Sequence, residues 1–300
     1  MSANARPLAG ARLAAWILAG PALVVLAVFF AFPVVAAFAL SLTDFDVYAI
    51  ADLRNLRWVG LANYGALLST PLFWTALGNT LYFVVVGVPL SIGLSLAAAL
   101  ALHSRLARWK AFFRTALFAP VVTTVVGVAV IWRYLLHTRY GWINYVLGTV
   151  GIDPIDWLGD PHWSMPSIIV FAVWKNFGYN MIILLAALQA IPDDLYEAAR
   201  IDGASALQQL RHITLPSLGP VLLMVSILTL SGYFQLFAEP YVMTQGGPLQ
   251  STVSVLYLMF EQGFKWWNLG TASAVAFLLF AILLALTTSL LRLARGRGAS

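Results

Sequence analysis

Few side chains in this sequence have the type and spacing for covalent or metal chemistry. Cysteine is absent, which removes disulfides, thiolate nucleophiles and thiolate metal ligands. The four histidines, His103, His137, His162 and His212, are far apart and show no paired ligand spacing, so no metal site is expected. No Gly-Lys dipeptide occurs, and with it the phosphate-cradling P-loop is missing; any ATP that drives this protein must be hydrolysed by another chain, and no bound cofactor is expected. The polar residues that stand out lie where an apolar environment should exclude them. Lys175, Asn176 and Asn180 interrupt a long apolar stretch, and Asn176 and Asn180 are four apart on one helical face. Amide and ammonium groups so placed either bond a ligand's hydroxyls or bond neighbouring helices, and the spacing allows both.

The elements that carry these residues read as membrane spans. The 300 residues are 61% hydrophobic and only 10% charged, with mean hydropathy +0.85, whereas soluble domains run near 25% charged. Apolar segments long enough to cross a bilayer occur at about 13–42, 76–102, 115–136, 165–190, 214–237 and 269–291. The expected fold is all-α and polytopic: six transmembrane helices forming a single domain over 1–300, since no intervening loop is long enough to fold alone. The first run far exceeds the 7–15-residue core of a cleaved signal, so it reads as a retained span although Ala37-Phe38-Ala39 has the small-x-small form. At about 1.5 Å per residue, Lys175, Asn176 and Asn180 lie roughly 15–22 Å into the fourth span, near the midplane.

Net charge +5 and pI 9.6 express orientation in the bilayer rather than nucleic-acid binding. With both termini cytoplasmic, Arg6, Arg12, Arg105, Arg108, Lys110, Arg114, Arg200, Arg211, Arg292, Arg295 and Arg297 face inward, and only Arg54, Arg57, Arg139 and Lys265 fall clearly outside. Short-loop bias of this kind orients a polytopic chain and sends the loop at 191–213 into the cytoplasm.

That loop is the longest polar, helix-competent interval after the midpoint. Pro192-Asp193-Asp194 sets a helix start, Asp194 and Glu197 have capping-box spacing, Gly203 allows the positive φ that ends a helix, and Ser205 can cap a second helix running toward Pro216. The sequence Glu197-Ala198-Ala199, with Asp202-Gly203-Ala204 and then Ile213-x-Leu215-Pro216 and Pro220, resembles the EAA loop of binding-protein-dependent ABC importer permeases. The preceding Ala187–Tyr196 run, the segment Trp58–Tyr64 and the stretch Tyr241-Val242-Met243-Thr244-Gln245-Gly246-Gly247-Pro248 are similar to segments of the carbohydrate branch of that family.

The resemblance implies a division of labour. Glu197, Ala198, Ala199, Asp202, Gly203 and Ala204 would form the coupling surface for two ATPase subunits, which hold the ATP and Mg. Gly246, Gly247 and Pro248 would belong to a loop facing an extracytoplasmic sugar-binding protein. Lys175 and Asn176, with Tyr233 and Gln235 on a neighbouring span, match positions around the substrate path of maltose-type permeases, although the residue types differ; Asn180 shares the face of Asn176. One EAA loop per chain implies a second permease chain, usually a different protein. The chain would work in a bacterial or archaeal cell membrane, with lipid around it and no nucleic acid. A polyol-phosphate permease of the same branch is one alternative. A secondary transporter is another, although no internal repeat is visible.

Overall fold

The computed structural model describes residues 9–104 and 108–297, so Arg6 and Arg105 lie outside the described residues. Fifteen α-helices follow one another there: α1 (Ala9–Leu26), α2 (Phe32–Ser41), α3 (Val47–Ala51), α4 (Ala62–Ser69), α5 (Pro71–His103), α6 (Lys110–Val122), α7 (Val125–Leu135), α8 (Trp142–Thr149), α9 (Pro161–Gln189), α10 (Asp193–Ile201), α11 (Ala206–Gln209), α12 (Leu215–Phe234), α13 (Ala238–Met243), α14 (Val255–Phe260) and α15 (Leu269–Arg297). No strand forms among the described residues, only an isolated bridge between Thr43 and Trp58. Packing divides the chain into two compact units, Met1–Ser69 with Met259–Phe277, and Thr70–Leu258 with Leu278–Ser300.

Among the described residues, five helical stretches are long and apolar enough to cross a bilayer: Trp16–Ser41, Pro71–His103, Pro161–Gln189, Ala206–Met243 and Leu269–Arg292. The sixth expected span, 115–136, is not a continuous helix. It is the pair α6–α7, bent by 100°, with Thr123 and Thr124 extended at the break. The cause is local: Pro120 is followed by six β-branched residues, Val121 to Val126, whose stiff χ1 weakens helix propensity. Irregular backbone at membrane depth persists only where protein satisfies its carbonyls.

The expected boundary at 214 between the coupling loop and the fifth span is absent. α11 runs through a π turn, Leu210–Thr214, into α12. Leu215 N–H reaches back to Leu210 C=O, a five-residue step that accommodates Pro216, which has no N–H to donate. A similar π turn, Ala27–Ala31, precedes Pro33 in the first span.

In the first unit, the Trp58–Tyr64 segment closes the end of α2. The Asn63 side-chain amide donates to the Ser41 and Thr43 carbonyls at 2.9 and 2.7 Å, and Ser41 Oγ meets the Tyr64 hydroxyl at 2.8 Å. Arg57 donates to Asp44 from its backbone N–H at 2.7 Å and from Nε at 2.8 Å. The Arg57 backbone N–H, then its guanidinium, hold the Asp44 carboxyl below the usual carboxylate range. That lowered value means the contact is fully present above the unfolded carboxylate value of about 4 and is lost as pH falls through the folded one. It is solvent-exposed, so its contribution to stability is small.

The second unit is built around α9, whose most apolar window is 67% buried, against 0% for Trp16–Ser41. α9 packs chiefly along α5 and also meets α6 and α12. Ala99 and Leu102 of α5 close on Met181, Leu184, Leu185 and Leu188 of α9 and on Leu218 and Val225 of α12. Lipid tails are as apolar as these side chains, so dispersion contacts and interhelical hydrogen bonds supply the binding. One such bond runs from Ser95 Oγ to the Phe177 carbonyl at 2.8 Å. At Gly178 a β-carbon would clash with the Leu117 carbonyl oxygen, so α6 approaches α9 as closely as backbone permits.

Candidate functional site

Burial of α9 turns its polar residues toward protein, and they separate into two roles. Asn176 and Asn180 line a cavity of about 340 Å³, with Phe83 of α5, Tyr179 of α9, Thr229 and Tyr233 of α12, and Gln235 and Glu239 beyond it. The Asn180 amide donates to Thr229 Oγ1 at 2.8 Å, and Asn176 donates to the Ala172 carbonyl one turn back at 3.0 Å. Each amide keeps a carbonyl oxygen and donor capacity for a ligand.

Aromatic faces complete the wall. Phe83 and Tyr233 stack at 5.0 Å between centroids. Gly87 makes room for that pair, since a β-carbon there would sit 2.7 Å from Tyr233 Cε1. Among the described residues, the Tyr233 hydroxyl and Ser91 Oγ are buried without a hydrogen-bond partner at good geometry, an unusual state for such groups. Amides, hydroxyls and aromatic faces around one volume suit a ligand with many hydroxyls and a ring to stack.

Lys175 does not line this cavity. Its ammonium donates to the carbonyls of Pro120 and Thr123 at 3.0 Å each and of Val121 at 3.4 Å, where α6 ends. The sequence grouped Lys175 with the ligand-binding amides; the fold assigns it to the break, because consecutive helical residues point about 100° apart. Conversely Glu239, which fell in a stretch expected to be external, lines the cavity from α13. Pro240, after an aromatic-rich end of a span, was the available signal that a new helical turn starts there, and α13 carries the span on to Met243.

The loop at 191–213 folds as two helices around a glycine corner. Gly203 has φ +78°, Ala204 N–H bonds the Ala199 carbonyl at 2.8 Å and Gly203 N–H the Arg200 carbonyl at 3.1 Å, a Schellman-type end. Ser205 and Gln208 form a reciprocal capping box. The capping box expected for Asp194 and Glu197 does not form: Pro192 occupies the cap position, which puts Asp193 and Asp194 inside the first turn, against the helix dipole. Glu197 instead approaches Arg200 at 3.9 Å. Ala199, Asp202, Gly203, Ala204, Gln208 and His212 help line a shallow groove, and Glu197 and Ala198 are exposed beside it. Ile201 and Leu207, 86% and 73% exposed, flank the corner. These two apolar side chains were not singled out in the sequence, where nothing distinguishes them from buried ones.

The Gly246-Gly247-Pro248 segment is a packed corner more than a contact surface. Gly246, at φ +82°, sits against Val253 and Tyr257, and Thr252 Oγ1 donates to the Gly247 carbonyl at 2.8 Å. Asn79 clamps the segment by donating to Gln250 and Val253 carbonyls at 2.8 and 3.0 Å. The corner presents Gln245, Leu249 and Gln250 to the exterior, Leu249 being 89% exposed.

Apolar helices of spanning length around a cavity with amide and hydroxyl groups in its wall define a multi-pass membrane protein. The family model described as "Binding-protein-dependent transport system inner membrane component" matches residues 8–297, and the chain belongs to that family, a family of transport components rather than enzymes. It is 37% identical over 280 residues to the trehalose/maltose transport system permease protein MalF of Thermococcus litoralis, covering 92% of each chain. It is 35% identical over 276 residues to the lactose transport system permease protein LacF of Rhizobium radiobacter, covering 89% of this chain and 90% of that one. Its fold matches a crystal structure of a bacterial alginate ABC transporter in complex with an alginate pentasaccharide-bound periplasmic protein, with TM-score 0.77 at 22% identity, over 94% of this chain and 93% of that one.

Proposed function

We propose that this chain is the membrane-spanning permease subunit of an ATP-driven importer that takes up a di- or oligosaccharide handed over by an extracytoplasmic binding protein. The observation that carries this reading is the cavity at mid-depth of α9, walled by Asn176, Asn180, Thr229, Tyr233 and Gln235. Relatives named for lactose, maltose and trehalose transport support a carbohydrate cargo. The solved complex with a periplasmic protein supports a binding-protein partner, which would meet the exposed Gln245, Leu249 and Gln250 at the edge of the Gly246–Pro248 corner.

Two ATPase subunits, carrying ATP and Mg, dock on the glycine corner of this chain and on the same corner of a second permease chain. Glu197 and Asp202 supply polar contacts, Ala198, Ala199 and Ala204 keep the surface low, and exposed Ile201 and Leu207 enter the partner's groove. Both termini are cytoplasmic and the membrane is that of a bacterial or archaeal cell. Because the chain has no cysteine, orientation is testable with single cysteines at exposed Ser69, Ser205 and Leu249. An impermeant maleimide added outside should label 69 and 249 and spare 205; labelling of 205 from outside would reverse the assignment.

The substrate path is tested by Asn176→Ala, Asn180→Ala and Gln235→Ala in the assembled transporter. Each removes bonds to hydroxyls, at roughly 1 kcal/mol per neutral bond, or about fivefold in uptake. Asn180→Ala also frees Thr229 and should have the largest effect. Lower uptake with intact assembly and binding-protein-stimulated ATPase is the expected result, whereas loss of assembly in all three would make these amides helix glue.

A further inference from the structure

Among the residues lining the cavity, Glu239 alone has an acidic or basic side chain. Its carboxylate forms no direct ion pair among the described residues. Lys175 attracts it electrostatically but spends its donors on the carbonyls of the α6–α7 break. The ammonium is therefore held behind the wall among carbonyl oxygens, while the carboxylate belongs to the wall itself. Asn176, Asn180, Gln235 and Thr229 offer donors and acceptors alike and do not discriminate by charge. A carboxylate does: it accepts hydroxyl protons, two from a vicinal diol, in charge-assisted bonds, and it repels a second anion in a site screened from water.

Building on the reading of this cavity as the substrate path, we propose that Glu239 is a specificity-determining residue that admits neutral, hydroxyl-rich saccharides and excludes anionic ones, those bearing carboxylate or phosphate groups. This assigns the substrate class within the carbohydrate cargoes and argues against the polyol-phosphate alternative. It also gives α13 a purpose, since the short helix at the end of the span Ala206–Met243 places a carboxyl side chain on the cavity wall.

The local potential can be measured without knowing the sugar. Asn176→Cys supplies a reporter thiol on the cavity wall, in a chain otherwise free of cysteine and assembled with cysteine-free partner subunits. Its reaction rates with cationic aminoethyl and anionic sulfonatoethyl methanethiosulfonate are each normalised to a free thiol. They are then compared in Glu239, Glu239→Asp and Glu239→Gln backgrounds. The cation-to-anion ratio should exceed unity by roughly tenfold or more with Glu239 or Asp and fall toward one with Gln, as expected for a fixed charge in a low-dielectric cleft. A ratio near one in every background would overturn the charge filter and leave the sugar path standing. Failure of both reagents to react from either side of the membrane in every background would overturn both.

Discussion

Replacing Lys175 with methionine is expected to prevent this chain from folding stably, although methionine has nearly the same shape and suits an apolar span. The substitution removes the ammonium that donates to the Pro120, Val121 and Thr123 carbonyls, where Thr123 and Thr124 break the helix; of these, the Pro120 carbonyl keeps the Thr123 hydroxyl and N–H as donors. A buried carbonyl left unpaired costs about 1–3 kcal/mol, so the Val121 and Thr123 carbonyls together cost about 2–6 kcal/mol, a large share of the stability of a typical domain, about 5–15 kcal/mol. The α6–α9 contact at Gly178 leaves no slack to close the break another way, because the Leu117 carbonyl already touches the glycine. Thermal unfolding of the purified subunit in detergent and recovery of the assembled complex measure the effect. Normal assembly with loss of uptake alone would return Lys175 to the substrate path and overturn the structural role.

Gly203→Val should abolish coupled transport while leaving the spans inserted. No atom lies within 4 Å of the added β-carbon, so space is not the obstacle; the φ of +78° is. A non-glycine residue held there costs about 1–3 kcal/mol, and a β-branched one is the worst case. The corner that orients α10 against α11 would open, spoiling the surface proposed to meet the ATPase. Uptake should fall more than about tenfold, the equivalent of 1.4 kcal/mol, with ATPase lost from the complex or idling. Gly203→Asn should retain most activity, since asparagine visits the left-handed region readily. Equal, normal uptake in both variants would show that the corner does not carry coupling.

The sequence by itself determined the class of the protein, because composition and span length are properties of the chain that solvent reads directly. Apolar runs such as 269–291 and 165–190 must form helices in a bilayer, where no other open structure pairs its backbone, and the ends found for α9 and α15 lie within a few residues of those expected. The glycine corner was legible for the same local reason: Gly203 and Ser205 act on their own backbone within a few residues. The sequence also located the amides at 176 and 180.

Only the tertiary structure decided which polar group does what. Lys175 and Asn176 are neighbours in the chain, but one helical step sends the first to the α6–α7 break and the second to the cavity. The break itself had a visible signal in Pro120 and the β-branched run. Its partner did not, since a lysine fifty-five residues away becomes a donor to it only when α6 packs on α9. Glu239 was hidden for a similar reason: its distance from Asn180 across the cavity wall is set by the turn after α12 and by the seating of α13 on α7 and α9, long-range packing that no local pattern encodes.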